Sequence, residues 1–579
     1  MKAPNTNHFM GQLVIDYLAR RGARYFLISP GSRSAPLAIA AASHPDTTTR
    51  MIIDERAAAY YAVGVARATG SPAGVICTSG TAVANLFPAV VEAYQSRLPL
   101  FLLTADRPEE LQDCGANQTI DQQGIFGRYA ASVTIPAPGR ATKPADVLDT
   151  LDRVMAGISM GPAHINVQFR EPLAPVEETY DRDHLAAEAA GWHEIHRTHL
   201  SPENHNDPAR SIEEIIPLFK RIRRGLIVAG PELPFRASET LGRLAERQGW
   251  PMVCDILSQQ RGKTGGNRCC AYDLYIDAPV WADRLSCDMV LHFGGLPASK
   301  RLNRFLAQHK GIPYIKIQDH TRTIDPDRLE TNRVMAPIAQ CIESIIARLE
   351  PGGVNDHLSS WLNVDRKAAD ILTQCLDTDS LTEPSTAFHI GRLVGDRAAL
   401  YLSNSMPVRD ADSFMNLESR DVMIGCSRGV SGIDGVLASA CGFAAGSGRR
   451  TMLLIGDLAL LHDLNSLALA AQASIPVIII VINNHGGGIF DFLPVAQFPD
   501  WLEKCFTASH RLTFDAAAEM FGLSYHRPSS VTELTAACHA ATEVEESTII
   551  EINTDRNINV GEHERIRSTV HEELQGKKE

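Results

Sequence analysis

Apolar and polar positions follow two rhythms along the 579-residue chain, and the rhythms take turns. Short apolar runs rich in β-branched and aromatic residues ("RYFLI", "RMIID", "GVICT", "PLFLLT", "AHINVQF") are separated by longer segments of helical period, such as Arg56 to Ala68 and Thr81 to Gln95. This strand-helix alternation predicts a parallel sheet with helices on both faces. After Pro175 the rhythm stops at "HRTHLSPENHNDPARS", whose Pro, Asn and Asp content reads as a linker. It resumes with "GLIVAG", "WPMVCDI", "DMVLHFG" and "PYIKIQ", and breaks at "LEPGGVNDH". From Ser385 it returns with "ALYLS", "DVMIG", "TMLLI", "PVIIIVI" and "TIIEI". The expected architecture is three consecutive doubly wound α/β domains at 1–180, 211–355 and 385–579, joined by linkers at 181–210 and 356–384. The C-terminal "HEELQGKKE" reads as a frayed charged tail.

The length agrees, because 579 residues exceed what one hydrophobic core supports. A net charge of -13 gives no general attraction to nucleic acid or anionic membrane, so an anionic substrate needs local positive charge. The longest apolar run, "IPVIIIVI", is too short to cross a bilayer, and "MKAPNTNHFMGQ" lacks the basic start and apolar core of a signal peptide. The 12 cysteines are scattered without a C-x-x-C, which indicates neither a zinc site nor a disulfide framework and suits a reducing cytoplasm.

In the third block the strand ending at Ile455 runs into Gly456, Asp457 and Leu458, a helical segment follows, and the next strand ends in Asn483 and Asn484. Residues 459 to 482 between them are a normal length for a right-handed parallel crossover. Asp457 and Asn484 then share the C-terminal edge of the sheet, where α/β proteins bind ligands. One carboxylate and one amide oxygen there suit a hard cation such as magnesium, although both residue types also end strands with no further role. The glycines of "NNHGGGIF" allow the backbone a close approach. In the first block a strand ends at Asp54, and Glu55 opens a helix rich in small residues. An acid there either interacts with the helix dipole or does chemistry.

The spacing G-D-x followed by N-N resembles the thiamine diphosphate fingerprint, GDG ending in NN. Longer stretches narrow it: "SPGSRSAPLA", "DERAAAYYAVG", "TSGTAVANLFPAVVEA", "LTADRPEEL", "CGANQTIDQ", "RGVSGIDG", "IGDLALLHDLNSL" and "NNHGGGIF". Almost end to end the chain resembles the 2-succinyl-5-enolpyruvyl-6-hydroxy-3-cyclohexene-1-carboxylate synthases, thiamine-dependent transferases of menaquinone synthesis. That family carries "GDL" where other thiamine enzymes have GDG.

The resemblance implies three domains of the thiamine-enzyme type, thiamine diphosphate with Mg2+ or Mn2+, and the substrates 2-oxoglutarate and isochorismate. It also implies a homodimer or dimer of dimers, with each active site shared between the first domain of one subunit and the third domain of another. Decarboxylation of 2-oxoglutarate and conjugate addition of the remaining four-carbon unit to isochorismate is the implied reaction. By the same resemblance Asp457, Asn484 and the Gly486 carbonyl hold the metal. Glu55 is the catalytic partner of the aminopyrimidine ring, where a shared proton favours the tautomer that activates the thiazolium. Asn404, Ser405, Ile433, Gly456 and Leu458 complete the cofactor site, with Ile433 as an apolar wedge; without the family Ile433 reads as packing.

Two dicarboxylate substrates call for arginines that grip in bidentate fashion. The implied substrate set is Ser32, Arg33, Arg107, Gln118, Lys300, Arg301, Ser405, Arg409, Arg428, Ile489 and Phe490. Arg33, Arg107 and Arg428 follow strands or occupy Gly- or Pro-bounded loops, whereas Lys300 and Arg301 rest on the resemblance. An acetohydroxyacid synthase or oxo-acid decarboxylase would share Glu55, Asp457 and Asn484 but lack "SPGSRS" and the arginine set. A dinucleotide-dependent oxidoreductase is opposed by the lack of a strand-GxGxxG-helix unit, and a non-catalytic sensor has no need of Glu55.

Overall fold

A computed structural model describes residues 3–139, 142–156, 161–196, 208–234, 237–417 and 419–575. The first sheet comprises β1 (Tyr25–Ile28), β2 (Thr48–Met51), β3 (Ala73–Cys77), β4 (Leu100–Asp106), β5 (Ala131–Ile135) and β6 (Pro162–Gln168). The central sheet comprises β7 (Gly225–Ala229), β8 (Met252–Cys254), β9 (Arg268–Cys269), β10 (Met289–Phe293), β11 (Tyr314–Gln318) and β12 (Asn332–Met335). The third comprises β13 (Ala399–Leu402), β14 (Met423–Gly425), β15 (Thr451–Gly456), β16 (Val477–Asn483), β17 (Ser524–His526) and β18 (Thr548–Asn553). Every pairing within them is parallel.

The first sheet runs β2-β1-β3-β4-β6-β5, and the third repeats that order as β14-β13-β15-β16-β18-β17. The central sheet runs β12-β11-β10-β7-β8-β9. In both outer sheets the winding reverses between the first and third strands in sequence, which opens a crevice at the carboxyl ends of β1 and β3 and of β13 and β15. The central strands are apolar on both faces; β16 is buried along its whole length, as a strand covered by helices on two sides must be.

Four strands that the hydrophobic pattern does not announce, β5, β9, β12 and β17, all lie at sheet edges. The stretch "RMIID" yields a strand that stops at Met51, short of Asp54. Asp54 instead caps the Glu55–Thr69 helix, its carboxylate accepting the backbone N–H groups of Arg56 (2.8 Å) and Ala57 (3.3 Å). The segment from Thr81 to Gln95 is two helices, Thr81–Asn85 and Phe87–Gln95, because Pro88 has no N–H to continue the first. The segment after Leu458 likewise breaks, into Asp457–His462, a 3-10 turn and Leu467–Ala471.

The connecting stretches contain helices. Residues 182–195 form one, whose Trp192 packs against Tyr17, while 197–207 lie outside the described residues. Residues 356–376 form another, packed on the C-terminal Arg556–Gln575 helix through Trp361, Val364, Ile566 and Val570. That helix corrects the expected frayed end: its apolar stripe reaches Leu574, which is buried, and only 576–579 lie outside the described residues.

The first and third domains meet where the Glu55–Thr69 and Val436–Ser447 helices cross. A β-carbon on Gly64 would stand 2.0 Å from the Ser439 carbonyl oxygen, and one on Gly442 would stand 2.0 Å from that of Tyr61, so only glycine permits the crossing. Tyr60 donates to Asp434 (2.6 Å) and Ser439 to the Tyr60 carbonyl (3.1 Å) across it. Among the described residues no helix is long and apolar enough to cross a membrane.

Candidate active site

The crevice of the third sheet holds a cavity of about 260 Å3. Strand β13 delivers Asn404 and Ser405 to it, β15 delivers Gly456, Asp457 and Leu458, and β16 delivers Asn484 and the glycine turn with Gly486. Arg409, Ile433, Ile489 and Phe490 complete a lining in which eleven residues singled out in the sequence converge. Ser405 (φ 71°), Ser431 (φ 57°) and His485 (φ 61°) hold left-handed backbone conformations around it, the kind of strain that concentrates at binding sites.

Hydrogen bonds fix the polar groups at the cavity floor. Asp457 accepts from the N–H groups of Leu458 (2.6 Å) and Gly486 (3.0 Å) and lies 3.1 Å from His510 Nε2. Burial pushes its carboxyl up, against those same hydrogen bonds and the His510 charge. Asn484 donates through Nδ2 to Glu383 (2.9 Å), which leaves its Oδ1 buried without a hydrogen-bond partner. An amide oxygen so left needs a donor or a cation. The glycine turn packs tightly: a β-carbon on Gly486 would meet the Thr507 carbonyl at 2.7 Å, and one on Gly488 the Asn484 amide at 2.7 Å.

Glu383 and His510 are the residues that reading the sequence missed. Glu383 opens the Glu383–Leu393 helix behind Thr382, a position that reads as ordinary helix-end chemistry. Here it is buried, and burial, with Asp410 nearby, pushes its carboxyl up to about 8 against the Asn484 hydrogen bond. The position of His510 beside Asp457 is set by a loop that carries no local signal.

Above the floor Arg409 donates to the Ser405 carbonyl, and burial together with the neighbouring Arg428 lowers its pKa. Arg428 donates to Asn404 Oδ1 at 3.0 Å while its body lines a second cavity, toward the central domain.

The remaining residues singled out in the sequence form separate groups. Arg107, buried after β4, donates to Ser79 and to the Gln118 carbonyl (3.2 Å). Its pKa is lowered by burial and by Arg33. Arg33 donates to the Phe169 carbonyl (2.8 Å) and pairs with Glu171 (3.4 Å); Ser32 and Gln118 are exposed beside these two arginines. Glu55 is half-buried, with Asn85 Nδ2 at 3.4 Å. In the central domain Arg301 pairs with Asp273 (2.7 Å) and Asp277 (3.6 Å), next to exposed Lys300. None of the first-domain or central-domain groups lines the cavity that holds Asp457.

Comparison with known proteins accounts for this division. Residues 9–125 match the family described as thiamine pyrophosphate enzyme, N-terminal TPP binding domain; 185–402 match the middle domain of thiamine pyrophosphate; and 408–552 match thiamine pyrophosphate enzyme, C-terminal TPP binding domain. A 2-succinyl-5-enolpyruvyl-6-hydroxy-3-cyclohexene-1-carboxylate synthase from Rubrobacter xylanophilus is 40% identical over 97% of this chain and 98% of its own. The chain belongs to that synthase family. Synthases of the same name from Chlorobaculum tepidum (39% identical, 96% of each chain) and Salinibacter ruber (38%, 98% of each) agree. The crystal structure of benzoylformate decarboxylase from Polynucleobacter necessarius shares the fold, with a TM-score of 0.71 over 94% of this chain and 98% of that one at 14% identity. The synthase thus has thiamine-diphosphate-binding domains at both ends, and the two groups of residues lie one in each.

Proposed function

We propose that the chain is the transferase that decarboxylates 2-oxoglutarate and adds the remaining four-carbon unit to isochorismate, giving 2-succinyl-5-enolpyruvyl-6-hydroxy-3-cyclohexene-1-carboxylate for menaquinone synthesis. The observation that carries this reading is the third-domain cavity, where Asn484 Oδ1 stands unpartnered in one lining with Asp457 and Arg409. Thiamine diphosphate, when bound, supplies the electron sink for loss of carbon dioxide.

Asp457, Asn484 Oδ1 and the Gly486 carbonyl hold Mg2+, or Mn2+ in its place. Their hard oxygens fit such ions, and among the described residues no group of three or more His, Cys, Asp or Glu forms a rival metal site. The N-terminus of the Met406–Phe414 helix opens on the same cavity and favours a diphosphate there. Ile433 wedges the cofactor, and Glu55 holds the proton shared with the aminopyrimidine. Arg33, Arg107, Arg409 and Arg428 grip substrate carboxylates, helped by Ser32, Gln118, Lys300 and Arg301, while Ile489 and Phe490 give the apolar wall.

Because Glu55 and the first-domain arginines line no cavity with Asp457, a second subunit brings the two halves together in a homodimer or dimer of dimers. Twelve cysteines, all free, support a reducing cytoplasm as the compartment. The decisive test is carbon dioxide release from 2-oxoglutarate with thiamine diphosphate and Mg2+, with and without isochorismate. Product formation that requires isochorismate supports the reading; aldehyde release indifferent to isochorismate makes the chain a plain decarboxylase.

A further inference from the structure

Two of the free cysteines, separated in sequence, are set side by side by the central sheet. Strands β8 and β9 pair with Met252 opposite Arg268 and Val253 opposite Cys269, so the next position places Cys254 opposite Cys270. Residues opposite each other on neighbouring strands lie about 4.8 Å apart, within the separation of about 4.4–6.8 Å that a disulfide spans. The side chains share a face as well. Val253 and Cys269 enter one hydrophobic cluster, whereas Cys254 and Cys270 pack in the cluster on the opposite side of the sheet.

The two thiols differ in the way an attacking and a resolving cysteine differ. Cys254 is sealed from solvent, while Cys270 is half-buried. The neighbouring Cys254, with the Arg261 and Arg268 charges, lowers the Cys270 thiol, and burial raises Cys254, whose Sγ donates to the Met252 carbonyl (3.4 Å), well above the usual thiol value. Both backbones are clamped: Arg261 Nε donates to the Cys254 carbonyl (3.0 Å), and Asp365 accepts the N–H groups of Cys270 (3.1 Å) and Ala271 (2.9 Å). The two cysteines are therefore held on neighbouring strands without ordering any loop, which favours an intramolecular bond over an intermolecular one.

We propose that Cys270 and Cys254 are a peroxide-reactive pair that closes to a reversible disulfide. The Cys270 thiolate attacks a hydroperoxide oxygen; the S–O bond forms, the O–O bond breaks, and the departing alkoxide or hydroxide takes a proton, leaving a sulfenic acid. Cys254 then gives up its proton and its sulfur displaces the hydroxyl, so that the S–S bond forms and water leaves. The pair loses two electrons, and the peroxide gains them. Two exposed cysteines, Cys114 and Cys505, serve as internal controls.

The test treats the intact enzyme with increasing hydrogen peroxide, alkylates the remaining thiols and maps tryptic peptides by mass spectrometry. Trypsin cuts at Arg261, Lys263 and Arg268, so the bond joins two separate peptides. The expected result is a Cys254–Cys270 link that dithiothreitol reverses, formed while Cys114 and Cys505 are still alkylated. In Cys254→Ser the link is lost and Cys270 reacts with dimedone as a sulfenic acid. In Cys270→Ser both link and dimedone adduct are lost. Oxidation of Cys114 or Cys505 with Cys254 and Cys270 still fully alkylated overturns the proposal. So does a dimedone adduct on Cys254 in the Cys270→Ser variant. The wild-type cross-link needs no substitution, so a variant that fails to fold leaves the test intact.

Discussion

Asp457 and Asn484 end adjacent strands, and that is why they could be picked out from the sequence: two strand ends separated by one crossover must meet at one sheet edge. Glu383 could not, because what makes it matter is a hydrogen bond to Asn484, 101 residues away. That bond orients the amide so that Oδ1 faces the cavity. Glu383→Ala frees the amide to turn, and the Mn2+ dissociation constant, read by electron paramagnetic resonance, should rise about tenfold, as loss of an outer-sphere partner does. Glu383→Gln retains an acceptor and should bind nearly as the parent does; equal affinity in all three forms would show that the amide needs no such hold. On the function proposed above, Glu55 serves proton transfer rather than binding. Glu55→Gln should lower kcat roughly 10²–10⁴-fold, the usual worth of a positioned acid or base, while thiamine diphosphate binding stays within a few-fold. A variant with parental kcat would remove Glu55 from the chemistry.

Elements were legible where burial on both faces left an unbroken apolar run, as in β3, β7 and β16; the four strands missed each have only one neighbour, although the edge strands β2 and β14 were apolar enough to read. β9 is two residues long, and β12 reads "NRVM"; such edges are held by pairing with an inner strand rather than by their own hydrophobicity. The contact between the Glu55–Thr69 and Val436–Ser447 helices was equally hidden, since alanine-rich helices suit many neighbours. Its glycines make it testable: Gly64→Ala forces a methyl group against the Ser439 carbonyl and should destabilise the enzyme by about 1–3 kcal/mol in denaturant unfolding.

A polar interlock between β4 and β6 sets a pH dependence. Thr104 donates to Asn166 (2.8 Å), so His164 Nε2 must donate to Thr104 (2.8 Å), and Ser132 faces Nδ1 (3.1 Å). The ring is neutral, and burial lowers its pKa from 6.5 to about 4. The unfolded chain therefore takes up this proton before the folded one does. The stability it contributes is complete above pH 6.5 and is lost as pH falls toward 4, by roughly 3 kcal/mol at most. Buried Asp463, raised from 3.8 to about 6, acts with the opposite sign and loses stability as pH rises through that range. Comparison of the parent with His164→Gln isolates the histidine: the variant's unfolding free energy should fall less steeply between pH 6.5 and 4, and parallel curves would mean that His164 does not stay neutral.

At the scale of the whole molecule, the same strand order in the first and third sheets produces two equivalent crevices. One carries Arg33 and Arg107, and the other carries Asp457 and Asn484. No spacing in the sequence says whether these crevices face each other within one chain. The cavity around Asp457 is lined by no first-domain residue, and on the function proposed above the first-domain half comes from a partner. If each site pairs Glu55 of one subunit with Asp457 of the other, Glu55→Gln and Asp457→Ala enzymes are each inactive. Co-expressed, however, they form mixed dimers in which one site collects both lesions and the other collects none. Random assembly makes half the dimers mixed, and half of their sites intact, so activity should return to about a quarter of the parent's. If instead each site were built within one chain, every site would carry a lesion, and the mixture would remain as inactive as its components.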